Sequence, residues 1–204
     1  MNLVSVSVAV AASLLTSVAH AQEPAGASPA ACFRGRPLPT CSGFWIVESG
    51  LAVRLNSTVG LGQTMPGLAT FEVGWMRNRG ERTALGATAS FGVGPQPGFG
   101  TGYYLAIKPR WRRWLSPTTS LDLSPGLIIS SEERFPGFTG SADLNFGDWV
   151  SWTTQLQVVK PLFGGGTDVG VYSGLKLGSY GGLITGGAAA ILLGLFVLVV
   201  HDES

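Results

Sequence analysis

The chain of 204 residues carries 13 Lys+Arg against 12 Asp+Glu, a formal net charge of +1 and only 12% charged residues, where an average protein has roughly 25%. That leaves no clustered excess of cations for phosphates, which argues against a nucleic-acid binder, and 45% apolar residues with so little charge argue against disorder. Thirty Gly and 12 Pro without a G-X-Y period exclude collagen and long helices, and two Cys are too few for a disulfide-dense scaffold. The length suits one domain with appendages.

Residues 3–18 (LVSVSVAVAASLLTSV) are apolar and are followed by Ala19-His20-Ala21, a small-x-small cleavage signal. Residues 1–21 therefore read as a signal peptide with Gln22 opening the mature chain, although the n-region has no Lys or Arg. The apolar run is short for a membrane anchor, and the polar stretch Gln22–Pro29 separates it from Cys32, against lipidation. Export places the N-terminal segment 22–43 in an oxidising compartment, where a Cys32–Cys41 disulfide is expected. Pro37 and Pro39 stiffen the loop between them, and closing so short a loop stabilises by about 2–3 kcal/mol at most. The expected role is a staple ahead of the first strand, with a clamped plug or docking loop as the alternative. No His accompanies the pair, so zinc is not expected.

From Phe44 to Tyr180 apolar residues recur with the strand period of two. The first segment sets Trp45, Val47, Leu51 and Val53 against Glu48, Gly50, Ala52 and Arg54. The second sets Phe71, Val73 and Trp75 against Glu72, Gly74 and Met76, and the third Leu85, Phe91 and Val93 against Thr88, Ser90 and Gly92. The fourth sets Tyr103, Leu105, Ile107 and Trp111 against Tyr104, Lys108, Arg110 and Arg112, and the fifth Leu121, Leu123 and Leu127 against Asp122 and Ser124. The sixth sets Phe138, Leu144 and Phe146 against Thr139, Asp143 and Asn145. The seventh sets Val150, Trp152 and Leu156 against Ser151, Thr153 and Gln155, and the eighth Val169, Val171 and Leu175 against Gly170, Tyr172 and Lys176.

Strands of about ten residues, rising roughly 3.3 Å per residue and tilted by about 40°, span about 25 Å, the height of the apolar band of an outer-membrane barrel. Long Gly/Pro-rich connections (Asn56–Leu68, Pro95–Thr101, Ser130–Gly137, Lys160–Thr167) alternate with shorter ones (Asn78–Arg82, Leu115–Thr119, Gly147–Asp148), as external loops alternate with periplasmic turns. The expected fold is all-β: an eight-stranded antiparallel up-and-down β-barrel over 44–180, followed by an apolar C-terminal helix and tail over 181–204.

Alternation alone leaves open which face is inside, since a soluble lipocalin-like barrel shows the same pattern with its apolar face inward. Two features favour a lipid-facing exterior. The polar face is mostly Gly, Ala, Ser and Thr, which suits a narrow lumen better than a water-facing surface. All six Trp (Trp45, Trp75, Trp111, Trp114, Trp149 and Trp152) fall at the short-turn end, where an indole belt at a membrane interface is expected. On this pattern the region Phe44–Tyr180 resembles the small eight-stranded outer-membrane β-barrels of Gram-negative bacteria, of the OmpA type. The resemblance implies an outer-membrane location and an aromatic residue closing the last strand, a part Tyr180 could play.

Residues 183–200 (LITGGAAAILLGLFVLVV) are eighteen uncharged residues, close to the roughly 20 of a helical span. Gly182, Gly186, Ala190 and Gly194 recur every four residues, giving a smooth helical face for close packing. Such a helix would stop at the inner membrane and tether a periplasmic barrel, or, its first half being only weakly apolar, pack on the barrel or lie at its periplasmic mouth.

Chemistry is constrained by absence. His occurs only at His20 and His201, and no Cys lies within the barrel region, so the imidazole base of Ser-His and Asp-His hydrolases and the ligands of Cys/His metal sites are missing there. No enzyme activity, cofactor or metal is expected. The inward charges are the one constellation: Glu48, Glu72, Asp122 and Asp143 with Arg54, Lys108, Arg110, Arg112 and Lys176. A structural salt-bridge network is expected, with a gated ion path as the functional alternative. Phe99 and Glu132-Glu133-Arg134-Phe135 are candidate binding groups in the external loops. The expected partners are membrane lipids and another envelope protein through the loops or the C-terminal helix, with no nucleic acid.

Overall fold

The computed structural model describes residues 31–56, 66–95, 101–130, 136–160 and 166–188. The expected signal peptide, Ala190, Gly194, Phe99 and Glu132–Phe135 lie outside the described residues. Nine strands are present: β1 (Ala31–Cys32), β2 (Gly43–Arg54), β3 (Gly67–Gly80), β4 (Thr83–Pro95), β5 (Thr101–Trp114), β6 (Thr119–Ser130), β7 (Gly137–Phe146), β8 (Val150–Val159) and β9 (Asp168–Gly178). Strands β2 to β9 pair in sequence order, each antiparallel to the next. β9 returns to β2 through Glu48–Arg54 and closes an eight-stranded up-and-down barrel. Closure leaves no free edge along the paired residues, so every such backbone group has a neighbour.

The period of two separates the faces as expected, and the apolar one is outside. Leu51 is 71% exposed and Ile107 70%, and Val53, Leu105, Leu127 and Ile129 project beside them. The interior is polar: Glu48, Glu72, Lys108, Arg110, Arg112, Asp122, Asp143 and Lys176 are buried. This overturns the lipocalin-like alternative, whose cavity would need Val53 and Leu123 facing inward. Glycines make room where lumen side chains are large. A Cβ at Gly92 would strike the Tyr104 ring, and one at Gly170 would lie 2.6 Å from the Tyr172 ring.

Two apolar layers bracket the charged middle. Phe44, Ile46, Met76, Ala84 and Trp114 cluster at the short-turn end. Ala52, Leu68, Tyr104, Ala106, Ile128 and Tyr172 cluster toward the long connections. The lumen is thus a packed core, which is what a barrel of this strand number allows.

β9 covers β2 only from Glu48 onward, and β1 lies parallel to β2 at Gly43 and Phe44, where β9 does not reach. The Cys32–Cys41 disulfide is formed. Its segment is more than a staple: it sits against the short-turn mouth, with a Cβ at Gly35 meeting Arg112 and Phe44.

After β9 the chain turns at Ser179, whose φ of 53° is left-handed, and enters helix α1, residues 179–188. Tyr180 therefore does not close the last strand. It belongs to the helix, and its ring lies 4.7 Å from that of Phe33. α1 doubles back onto the outer wall. The Ser49 hydroxyl donates to the Gly182 carbonyl at 2.8 Å. A Cβ at Gly182 would lie 2.5 Å from the Val47 and Leu177 carbonyl oxygens, and one at Gly186 would strike the Phe71 ring. Gly182 and Gly186, the described residues of the expected small face, thus pack against barrel strands. This packing explains why outward-pointing Val47 is buried. Among the described residues no helix is long and apolar enough to cross a membrane.

Gly182→Leu should lift α1 from the wall. In a Val47→Cys background the thiol, covered in the parent, should then react with a membrane-soluble maleimide; unchanged protection would show that the helix does not depend on this close approach.

Candidate functional site: the charged lumen and its closures

Each lumen charge comes from the inward parity of its strand, and neighbouring strands bring them to one depth. Arg112 stands opposite Asp122, and Asp122 opposite Asp143; Glu48 stands opposite Glu72. Like charges directly opposite repel, so each acidic pair requires cations from elsewhere in the barrel. β5 supplies three, at alternate positions 108, 110 and 112, and β9 supplies Lys176.

Arg110 is the centre. Its two terminal nitrogens donate to the two Glu48 oxygens at 2.9 and 2.7 Å, and its Nε donates to Asp122 Oδ2 at 2.7 Å. Arg112 grips Asp122 with Nε and Nη2, both at 2.7 Å. Its guanidinium also lies against the Phe44 and Trp114 rings, 5.0 and 5.1 Å from their centroids. Lys108 pairs with Glu72. Lys176 Nζ donates to Glu72 at 2.6 Å and Asp143 at 3.2 Å and lies 3.6 Å from Glu48. Planar guanidinium forks match carboxylates two bonds at a time, which is why the two arginines hold the centre.

Oxygens of Glu48, Glu72 and Asp143 lie within 4.8 Å of one another, a spacing that could hold a metal ion. The Lys176 ammonium occupies that convergence. With each of these carboxylates held by a cation, the arrangement neutralises charge and offers no free base for proton transfer.

Arg54 does not join this network. It is near the far rim, where it makes a bidentate pair with Asp168 at 3.0 and 2.8 Å and lies over the Tyr172 ring. Asp168, at the first position of β9, is a partner the sequence reading did not identify.

Asp148 is a second such residue. Gly147, Asp148 and Trp149 join β7 to β8; Gly147 and Asp148 are left-handed, at φ 63° and 60°, as the two central residues of a turn that the Trp149 N–H closes on the Phe146 carbonyl at 3.2 Å. Asp148 is buried and gathers three parts of the molecule. It accepts from the Gly35 N–H of the disulfide segment at 2.8 Å, from the Ser179 hydroxyl at the start of α1 at 2.9 Å, and from Arg112 of the lumen at 3.3 Å. Arg34 donates to the Gly147 carbonyl and lies over the Trp149 ring. Asn78 donates to the Arg36 and Cys41 carbonyls, both at 2.7 Å. These bonds seal the short-turn mouth.

The tryptophans divide. Trp45, Trp75, Trp149 and Trp152 are exposed on the outer face and Trp111 is half-buried there. Trp45 and Trp75 are direct cross-strand neighbours with rings edge to face, 5.1 Å apart. Trp114 is a correction to the expected belt. It is 5% exposed and inside, because its position has the parity of Arg110 and Arg112. Its indole N–H donates to Asn78 at 3.1 Å.

No protein-family model matches the chain, and no curated protein sequence matches it. Among solved structures, the outer membrane protein Ail of Yersinia pestis, in a phospholipid bilayer nanodisc, is similar at 12% identity with a TM-score of 0.40, over 66% of this chain and 97% of that one. At that level of likeness, the reading of this chain rests on its own geometry.

Arg110→Met should be the most disruptive single change in the lumen, since it removes both hydrogen bonds that hold Glu48, leaving it only Lys176 at 3.6 Å, and leaves Asp122 to Arg112 alone. A loss of about 3–5 kcal/mol is expected from urea unfolding in detergent or lipid, with much of it recovered in Glu48→Gln/Arg110→Met. Arg54→Met, at the rim, should cost less. Equal effects at the two arginines would contradict a central network.

Proposed function

We propose that this protein is a bacterial outer-membrane β-barrel that acts without catalysis, as a rigid membrane-inserted platform displaying its four long connections. The observation that carries the reading is the inside-out distribution of polarity: a closed sheet with exposed Leu, Ile, Val and Phe around a buried ionic core. Water would penalise such an exterior and acyl chains would not. Outward tryptophans at the short-turn end fit a membrane–water interface, with the rings in the apolar band and the N–H toward water. On this reading the short turns and the disulfide segment face the periplasm, the long connections face outward, and residues 1–21 are the export signal.

A packed, charge-neutralised lumen supports a passive role over a conducting one, because an ion path would have to pass both apolar layers. Adhesion or ligand binding would then fall to the connections, including Glu132–Phe135. The C-terminal helix would serve the barrel wall rather than tether it to the inner membrane.

Ile107→Cys, labelled with a fluorophore in reconstituted barrels, should be quenched by brominated acyl chains, whereas a label at Ser90→Cys, inside the lumen, should not. The unheated protein should also migrate faster on gels than the boiled one and resist extraction by salt. Quenching at position 90 with none at 107, or release by salt without detergent, would overturn the proposal.

A further inference from the structure

The lumen uses most of the barrel's paired charge, and what remains outside is unevenly placed. At the short-turn end, Arg77, Arg79, Arg82 and Arg113 are all exposed, with Glu81 the acid in the same hairpin. None of the four forms an ion pair with another described residue. Arg77 and Arg113 have outward parity on the wall itself. Arg77 stands opposite Leu85, which stands opposite Trp111, so arginine and indole lie in one row across three strands. Arg113 is opposite Thr83 and two residues beyond Trp111, toward the turn. Arg77 is likewise two residues beyond Trp75, about 7 Å along the strand. Arg79, next to last in β3, and Arg82, in the turn to β4, lie just past them.

The aromatic rings mark the depth at which the apolar wall ends. Guanidinium groups one step beyond that depth, with their stems along the wall, stand at the level of lipid phosphates. The fork of a guanidinium matches two phosphate oxygens. Four such groups with a single acid nearby form a patch of one sign, unlike the balanced interior.

We propose that Arg77, Arg79, Arg82 and Arg113 form a binding site for the phosphates of anionic phospholipid headgroups in the leaflet on the short-turn side. The inference rests on the membrane-inserted reading above and adds the lipid class and the residues that select it. The site would order the barrel's tilt and depth by holding one arc of the rim, β3 to β5, at the headgroup layer.

The test uses the full chain in nanodiscs of phosphatidylcholine doped with phosphatidylglycerol, with spin-labelled forms of each lipid reporting association with the barrel. The parent should favour phosphatidylglycerol, and each Arg→Gln change should lower that preference by about fivefold at low ionic strength, with the quadruple variant showing none. Added salt should weaken the preference. Equal association of the two lipids with the parent, or an undiminished preference in the quadruple variant, would overturn the proposal. Should the quadruple variant fail to fold, Arg79→Gln and Arg82→Gln singly give the same readout, and undiminished preference in both overturns it. If the substitutions abolish co-sedimentation with isolated peptidoglycan but leave the lipid preference intact, the patch contacts the cell wall and the lipid assignment is wrong. Gel migration of unheated samples separates the two readings: a folded, inserted parent without lipid preference sinks only this inference, whereas a parent that does not insert sinks both.

Discussion

Ion pairing in a space closed to water governs this barrel. A carboxylate or guanidinium taken out of water costs several kcal/mol unless its bonds are replaced, and the middle of this lumen holds four of each sign at negligible exposure. The strands cannot form one at a time without stranding a charge. Glu48 on β2 is bonded to Arg110 on β5, and Lys176 on β9 to Glu72 on β3, so the partners are drawn from across the barrel and meet only on closure. Register errors are penalised by the same mechanism, because a slip of one residue would turn these charges to the apolar face.

The short-turn mouth extends this logic to parts of the chain outside the barrel strands. Asp148 sits in a left-handed turn that a non-glycine residue adopts at a cost, and its carboxylate is held by the N-terminal segment, the lumen and the start of the helix together. Arg112 connects the two levels, bonded to Asp122 within the network and to Asp148 at the mouth. The disulfide limits the freedom of the segment that supplies Gly35, so the cap and the ionic core are parts of one bonded structure.

Much of this was legible in the sequence for a simple reason: a strand has a period of two, and the sign of each side chain's polarity then states its face. Eight segments, their inward charges and the alternation of connection lengths all follow from that. Parity also carried information that reading by strand end passed over. Trp114 ends a strand near Trp111, which suggests the belt, yet it is an even step from Arg110 and so must point inward. Depth and partner choice depend on tilt and stagger between strands, which parity does not contain. Arg54 and Lys108 share the lumen but are separated along its axis, so Arg54 meets Asp168 instead. Asp148 was hidden because a turn residue has no strand parity at all.

The C-terminal helix shows how the closed barrel resolves a conflict that composition alone creates. A segment with Gly182 and Gly186 a turn apart fits a helix–helix contact and, with the apolar residues beyond, a membrane tether. A barrel wall offers a different surface. Its backbone carbonyls are already bonded along the ladder, its outward side chains at Val47 and Ser49 are small, and a glycine face can therefore approach the sheet closely enough for Ser49 to reach the Gly182 carbonyl. The helix begins beside the part of β2 that β9 does not cover and runs upward from there, over Val47 and then Phe71. Gly182 and Gly186 on the helix and the uncovered part of β2 on the barrel are thus complementary features, and these two residues, which would also suit association in lipid, are used within the chain.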